Sequence, residues 1–139
     1  MRARIRWTLD AVFAAFPNLV ARRKARAGTL SGGEQQAVAI GRALMTNPDL
    51  LLLDEVSRGL SPLAVDRVYA SLNTLIASGT TIILIEQDLA RAARVADRVM
   101  CMLEGRIVLK GRADALAREQ ITDAYFGLSA DSHQATAGA

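Results

Sequence analysis

Residues 50–55 read Leu50-Leu51-Leu52-Leu53-Asp54-Glu55, a solid apolar run that ends in two adjacent carboxylates. Asn47-Pro48-Asp49 ahead of it is a turn signal. A short continuous apolar run of this kind predicts a buried strand. Downstream, Ser61 as N-cap and Pro62 at the first helical position open a helix. Its apolar stripe is Val65, Val68, Tyr69, Leu72, Leu75 and Ile76, and Gly79 closes it. Thr80–Ile85 then reads as a second buried strand. Strand, helix, strand at this spacing is a βαβ unit, which implies parallel pairing with a right-handed crossover. The class is α/β.

The flanks extend this frame. Upstream, Leu9, Val12, Phe13 and Phe16 follow helical spacing over about 8–16, and Pro17 ends that segment. Residues 18–30 read as a basic connection. Ala37, Ile40, Gly41 and Leu44 mark a further helix from Gly32 to Met45. Beyond the βαβ unit, a short helix over Asp88–Ala96 precedes two strands, Arg98–Leu103 and Arg106–Leu109. Glu104-Gly105 between these strands is a two-residue hairpin signal. Helical segments near 112–119 and 121–126 follow. The small, polar residues Ser129–Ala139 read as a frayed tail.

The chain has 139 residues, of which 51% are hydrophobic and 22% charged, a balance suited to one globular domain. No apolar run approaches the roughly 20 residues that cross a bilayer. Asp10 interrupts the apolar stretch after the basic start, which argues against a secretory signal. The single cysteine, Cys101, excludes an intrachain disulfide and reads as a buried structural thiol. The lone His133 lies in the polar tail, so no histidine-based metal site is expected. Arg2, Arg4, Arg6, Arg22, Arg23, Lys24 and Arg26 cluster near the start, but Trp7 is the lone tryptophan and no interleaved aromatics offer bases a stacking surface. The cluster reads as a solvated face, and nucleic acid is not an expected partner.

Two stretches carry chemistry. Leu30-Ser31-Gly32-Gly33-Glu34-Gln35-Gln36 enters a helix, and Ser31 with Glu34 satisfies a capping box. The two glycines weaken a helix start, yet they let backbone approach an anion, and a helix N-terminus carries unpaired N–H groups that suit a phosphate. The second stretch is the acid pair. It stands at the C-terminal end of a strand, the edge of a parallel sheet where ligands bind. Side chains alternate along a strand, so the two acids cannot do the same job. Asp54 would hold Mg²⁺, commonly through water, and Glu55 would orient or activate an attacking water. A strand that simply ends in a solvated acidic pair is the other reading of so short a match.

These stretches in this order resemble the ATP-binding subunit of ABC transporters. Leu30–Gln36 is similar to that family's signature motif and Leu50–Glu55 to its Walker B strand and catalytic glutamate. Ser57-Arg58-Gly59-Leu60-Ser61-Pro62 is similar to the D-loop, and Glu86-Gln87-Asp88 lies where the switch loop begins. Ala27-Gly28-Thr29, Gly59-Leu60-Ser61-Pro62, Glu86-Gln87 and the ending Tyr125-Phe126-Gly127 resemble the branch serving branched-chain amino acid uptake, with urea or short-amide importers as the alternative. Gln87 stands where most of the family has a γ-phosphate-contacting histidine, Val56 where a proline is usual, and Arg58 where an apolar residue is usual.

The resemblance implies a P-loop NTPase fold with a mostly parallel sheet, flanking helices and a C-terminal hairpin over residues 1–127, followed by a disordered tail over 128–139. It implies ATP and Mg²⁺ as ligands, with Ser31, Gly32, Gly33, Glu34 and Gln35 on nucleotide, Asp54 on the metal, and Glu55 and Gln87 at the reacting phosphate. It implies a second ATP-binding subunit and transmembrane permease subunits as partners, and a peripheral place on the cytoplasmic face of the membrane. The match covers about residues 8–127 and corresponds to the C-terminal half of a subunit. Neither Lys24 nor Lys110 follows a glycine, so the chain contains no Gly-x-x-x-x-Gly-Lys phosphate loop. Alone, it is expected to hydrolyse no ATP. A non-catalytic module supplying a signature face in trans is the alternative, and a different phosphate-binding α/β domain the third reading.

Overall fold

The computed structural model describes residues 6–128. Residues 1–5 and 129–139, which include His133 and nearly all of the expected tail, lie outside the described residues. The chain forms two compact units, one ending at Gln87 and the other starting at Asp88.

In the first unit, β1 (Leu50–Asp54) and β2 (Thr81–Ile85) pair in parallel, from Leu50 opposite Thr81 to Asp54 opposite Ile85. They are joined by α3 (Pro62–Ala77), as the βαβ reading requires. The Ser61 hydroxyl accepts from the Ala64 N–H at 3.4 Å and Pro62 opens the helix, so both start signals act as read. Helix α3 buries Val65, Val68, Tyr69, Ser71, Leu72 and Leu75. It packs against α2 (Gly32–Leu44), which buries Ala37, Ile40, Gly41 and Leu44. A first short helix, α1 (Leu9–Ala15), buries Val12 and Ala15.

Two expectations are corrected here. The strands are covered on one face only. Leu51 and Leu53 are buried, whereas Leu52 is 64% exposed and Leu50, Ile83 and Ile85 are exposed on the same face. The continuous apolar runs predict buried strands, but a two-stranded sheet with helices on one face leaves the alternate residues to solvent. Residues 18–30 are also more ordered than a basic connection. A 3-10 turn over Pro17–Arg22 buries Leu19 against the core, and a second spans Ala27–Thr29. Pro17 presets the backbone for that turn, and the buried Phe16 and Leu19 pin it at either side.

Trp7 closes the other end of this unit. Its backbone N–H donates to Asn47 Oδ1 at 2.6 Å, Asn47 Nδ2 donates to the Trp7 carbonyl at 3.2 Å, and its indole Nε1 donates to Thr80 Oγ1 at 3.2 Å. The turn before β1 and the turn before β2 are thereby tied to one buried aromatic.

The second unit contains α4 (Leu89–Val95), β3 (Arg98–Leu103), β4 (Arg106–Arg112) and α5 (Arg118–Phe126). Strands β3 and β4 form the expected antiparallel hairpin, with a register shift between Cys101 and Met102. Glu104 (φ 48°) and Gly105 (φ 76°) both take the left-handed backbone of the turn that matches strand twist. Strand β4 runs on to Arg112, and a single 3-10 turn, Ala113–Ala115, replaces the helix expected near 112–119. Cys101 is buried beside Ile121 and Ala124, and burial pushes its thiol up, as a structural cysteine requires. Among the described residues no helix is long and apolar enough to cross a membrane.

Candidate functional site

The acid pair stands at the C-terminal tip of β1, where the sequence places it. Asp54 closes the strand and is exposed. Glu55 follows with φ 46°, a left-handed conformation that costs a non-glycine residue on the order of 1–3 kcal/mol and is characteristic of functional turns. The ladder holds it there, because the Glu55 N–H donates to the Ile85 carbonyl at 2.9 Å.

Gln87 meets Glu55 across 32 residues of sequence. Its Nε2 donates to Glu55 Oε1 at 2.5 Å, and Arg58 Nη1 donates to Glu55 Oε2 at 2.9 Å. The Gln87 amide first, and the Arg58 guanidinium second, hold the Glu55 carboxyl below its usual range. The loop between is tied down by Glu86, whose carboxylate accepts from the Ser57 N–H at 3.1 Å and from the Ser57 hydroxyl at 2.8 Å. Glu86 and Ser57 were not assigned a role from sequence. The available signal was that Glu86 precedes Gln87 at the same strand tip.

The other predicted cluster sits at the N-terminus of α2. The capping box forms: Glu34 Oε2 accepts from the Ser31 N–H at 2.8 Å, and the Ser31 hydroxyl accepts from the Glu34 N–H at 3.4 Å. Arg22 Nε adds a donor to Glu34 Oε1 at 3.0 Å. The Ser31 backbone bond, then Arg22, lower the Glu34 carboxyl below its usual range. Gln35 Nε2 donates to the Leu30 carbonyl at 3.1 Å and the Ala27 carbonyl at 3.4 Å, fixing the turn before the helix. The side chains of Glu34 and Gln35 are thus engaged within the chain.

The glycines have a packing reason besides any ligand. A Cβ on Gly33 would stand 2.8 Å from the Ala64 Cβ, and one on Gly32 would stand 3.1 Å from Leu60 Cδ2. With the Ser31 N–H spent on Glu34, Gly32 and Gly33 hold the unpaired amides that a helix start offers. Gly32 is exposed and Gly33 half-buried, and amides at such a helix start suit a phosphate. The cavity beside them, lined by Ser31, Gly33, Glu34 and Ala64 among others, measures about 30 Å³, room for one water. Among the described residues no three His, Cys, Asp or Glu groups cluster to enclose a metal. A single exposed carboxylate such as Asp54 fits Mg²⁺ only in the mode where that ion keeps waters and phosphate oxygens.

The chain matches the family described as ABC transporter over residues 4–58. It is 45% identical over 120 residues to the high-affinity branched-chain amino acid transport ATP-binding protein BraG of Pseudomonas aeruginosa, covering 86% of this chain and 52% of that protein. This chain belongs to the ABC transporter ATP-binding family. It is 39% identical over 98 residues to the xylose import ATP-binding protein XylG of Moorella thermoacetica, covering 70% of this chain and 19% of that one. It is 40% identical over 107 residues to the Nod factor export ATP-binding protein I of Rhizobium johnstonii, covering 76% of this chain and 34% of that one.

Solved structures agree. An ATP-binding cassette of an ABC transporter in its ADP conformation superposes with a TM-score of 0.69 at 29% identity, covering 91% of this chain and 49% of that chain. The cbiO1 protein of Clostridium perfringens, part of an ABC transporter complex, gives 0.68 at 27% identity over 91% of this chain and 52% of that one. The chain spans about half the length of BraG and of these cassettes.

Proposed function

We propose that this chain carries the signature, Walker B, D-loop and switch elements of an ATP-binding subunit that energises an importer of branched-chain amino acids. The observation that carries the reading is the meeting of Gln87 with Glu55 at the tips of paired parallel strands, across 32 residues. The likeness to BraG, in a chain that also matches an importer of xylose and an exporter, favours the branched-chain solute.

In this reading Glu55 accepts a proton from water through one carboxylate oxygen. The water oxygen bonds the γ-phosphorus of ATP, and the bond to the bridging oxygen of ADP breaks, giving ADP and phosphate. Gln87 donates its amide to the γ-phosphate, since it can donate but cannot ionise. Asp54 would hold Mg²⁺, which neutralises phosphate charge when bound. Ser31 and the amides of Gly32 and Gly33 would contact the phosphates of a nucleotide held by a second subunit, with Glu34 and Gln35 shaping that turn from behind. The partners are that second ATP-binding subunit and transmembrane permease subunits, at the cytoplasmic face of the membrane.

Because these 139 residues contain no Gly-x-x-x-x-Gly-Lys, the loop that cradles the phosphates is supplied from elsewhere. Equilibrium dialysis of MgATP tests this. An intact branched-chain-type ATP-binding subunit should retain more nucleotide when this chain is added, and the gain should vanish with Ser31→Arg. No gain on addition, or a gain indifferent to Ser31→Arg, contradicts the reading.

A further inference from the structure

We propose, resting on the reading of Glu55 and Gln87 as the residues at the reacting phosphate, that Glu86 is a positioning residue. Its carboxylate stands in for a ladder bond that the strands cannot make past their tips, and so sets Gln87 opposite Glu55. Regular pairing of β1 with β2 ends at Asp54 opposite Ile85. One more backbone bond, from the Glu55 N–H to the Ile85 carbonyl, closes it. Glu55 then takes φ 46°, which turns the chain out of the strand and ends the ladder. Val56 is buried at that turn, and the N–H of Ser57 comes after the last ladder position. Glu86 supplies its partner: Oε1 accepts from the Ser57 N–H at 3.1 Å and Oε2 from the Ser57 hydroxyl at 2.8 Å, across 29 residues.

Glu86 therefore lies between two contacts that both reach Glu55. The residue before it, Ile85, holds the Glu55 backbone through its carbonyl, and the residue after it, Gln87, holds the Glu55 carboxylate at 2.5 Å. Gln87 is exposed, and the fixed residue beside it delivers its amide onto Glu55. Glu86 and Ser57 are both half-buried, and hydrogen bonds to an ionised acceptor are stronger than neutral ones, so this tie is suited to holding a loop. Its chemistry asks for acceptor placement rather than charge. A glutamine at 86 keeps a carbonyl for the Ser57 N–H and an amide that donates to the Ser57 hydroxyl oxygen. An alanine keeps neither.

Proton–nitrogen NMR of the 139-residue chain tests this without nucleotide or turnover, so it fails or succeeds separately from the dialysis and phosphate-release experiments. In the native chain the Gln87 side-chain amide should be shifted from the free-glutamine position and the Ser57 N–H should exchange slowly. Glu86→Ala should return the Gln87 amide to the free position and speed Ser57 exchange about tenfold, as expected when a hydrogen bond to a charged group is lost. Glu86→Gln should keep both signals near native. Ser57→Ala, which loses only the hydroxyl, should move the Gln87 amide part of the way, and Ser57→Thr should restore it. The Trp7 indole N–H, which donates to Thr80 Oγ1, reports in every variant that the unit stays folded. A Gln87 amide unmoved in both Glu86→Ala and Ser57→Ala would overturn the proposal. So would a Glu86→Gln chain as disturbed as Glu86→Ala, or changes that appear only when the Trp7 signal is lost with them.

Discussion

Gly33 lies so close to Ala64 that a Cβ added to it would stand 2.8 Å from the Ala64 Cβ. The start of α2 and the first turn of α3 touch through that missing atom. Overpacking of this kind costs about 1–3 kcal/mol. Gly33→Ala should therefore lower the urea midpoint, and Ala64→Gly in the same chain should recover part of it. Gly32 meets only the flexible end of Leu60, at 3.1 Å, so Gly32→Ala should change stability far less. Equal losses from the two glycine substitutions would contradict the packing account.

Capping at Ser31 is the second point. Ser31→Ala removes the acceptor for the Glu34 N–H and should cost about 1 kcal/mol of stability. Thermal melts read this directly, and an unchanged Tm would show the cap to be idle.

Glu34 gives stability a defined dependence on pH. Its carboxyl lies below the ordinary 4.5 because the Ser31 N–H and Arg22 favour the ionised form. A depressed folded value means that the contribution is fully present above the unfolded value and is lost as pH falls through the folded one. Comparing Glu34→Gln with the native chain cancels the other lowered acids, Glu55 and Asp114. The difference in denaturation midpoint should be constant at neutral pH and shrink on acidification below the glutamate range. A difference that grows on acidification would reverse the assignment.

The exposed face of β1 and β2 predicts solution behaviour. Leu50, Leu52, Ile83 and Ile85 form one contiguous apolar face, a patch of the kind that drives association. Among the described residues both strands are also sheet edges. The isolated chain should self-associate with rising concentration and bind a hydrophobic dye, and Leu52→Glu should reduce both. A chain that stays monomeric, dye-negative and sharply cooperative on melting would contradict this.

Much of this was legible from sequence because the deciding signals are local. Ser61-Pro62 at a helix start, Glu104-Gly105 in a hairpin and the stripe from Val65 to Leu75 each act through neighbours a few residues away. The acid pair fell at the strand tip for the same reason. What depended on tertiary packing was not legible. A run of four leucines has the same composition whether one face or two are covered, so the exposure of Leu52 could not be read. Leu19 looked like part of a basic stretch because its burial comes from Phe16 and the core, not from its sequence neighbours. The capping box was read correctly at Ser31 and Glu34, but the reason for Gly33 lies in Ala64, 31 positions away. The bonds from Arg58 and Ser57 were hidden behind a departure from the family pattern and a plain serine.

The claim at the centre is that Asp54, Glu55 and Gln87 form half of a hydrolytic site that a separate phosphate-binding loop completes. Phosphate release under MgATP measures it. The purified chain alone should release none above background. Mixed with the loop-bearing half of a BraG-type subunit, it should give Mg²⁺-dependent release that Glu55→Gln abolishes. Robust Mg²⁺-dependent release by the chain alone, or release in the mixture that survives Glu55→Gln, would contradict the account.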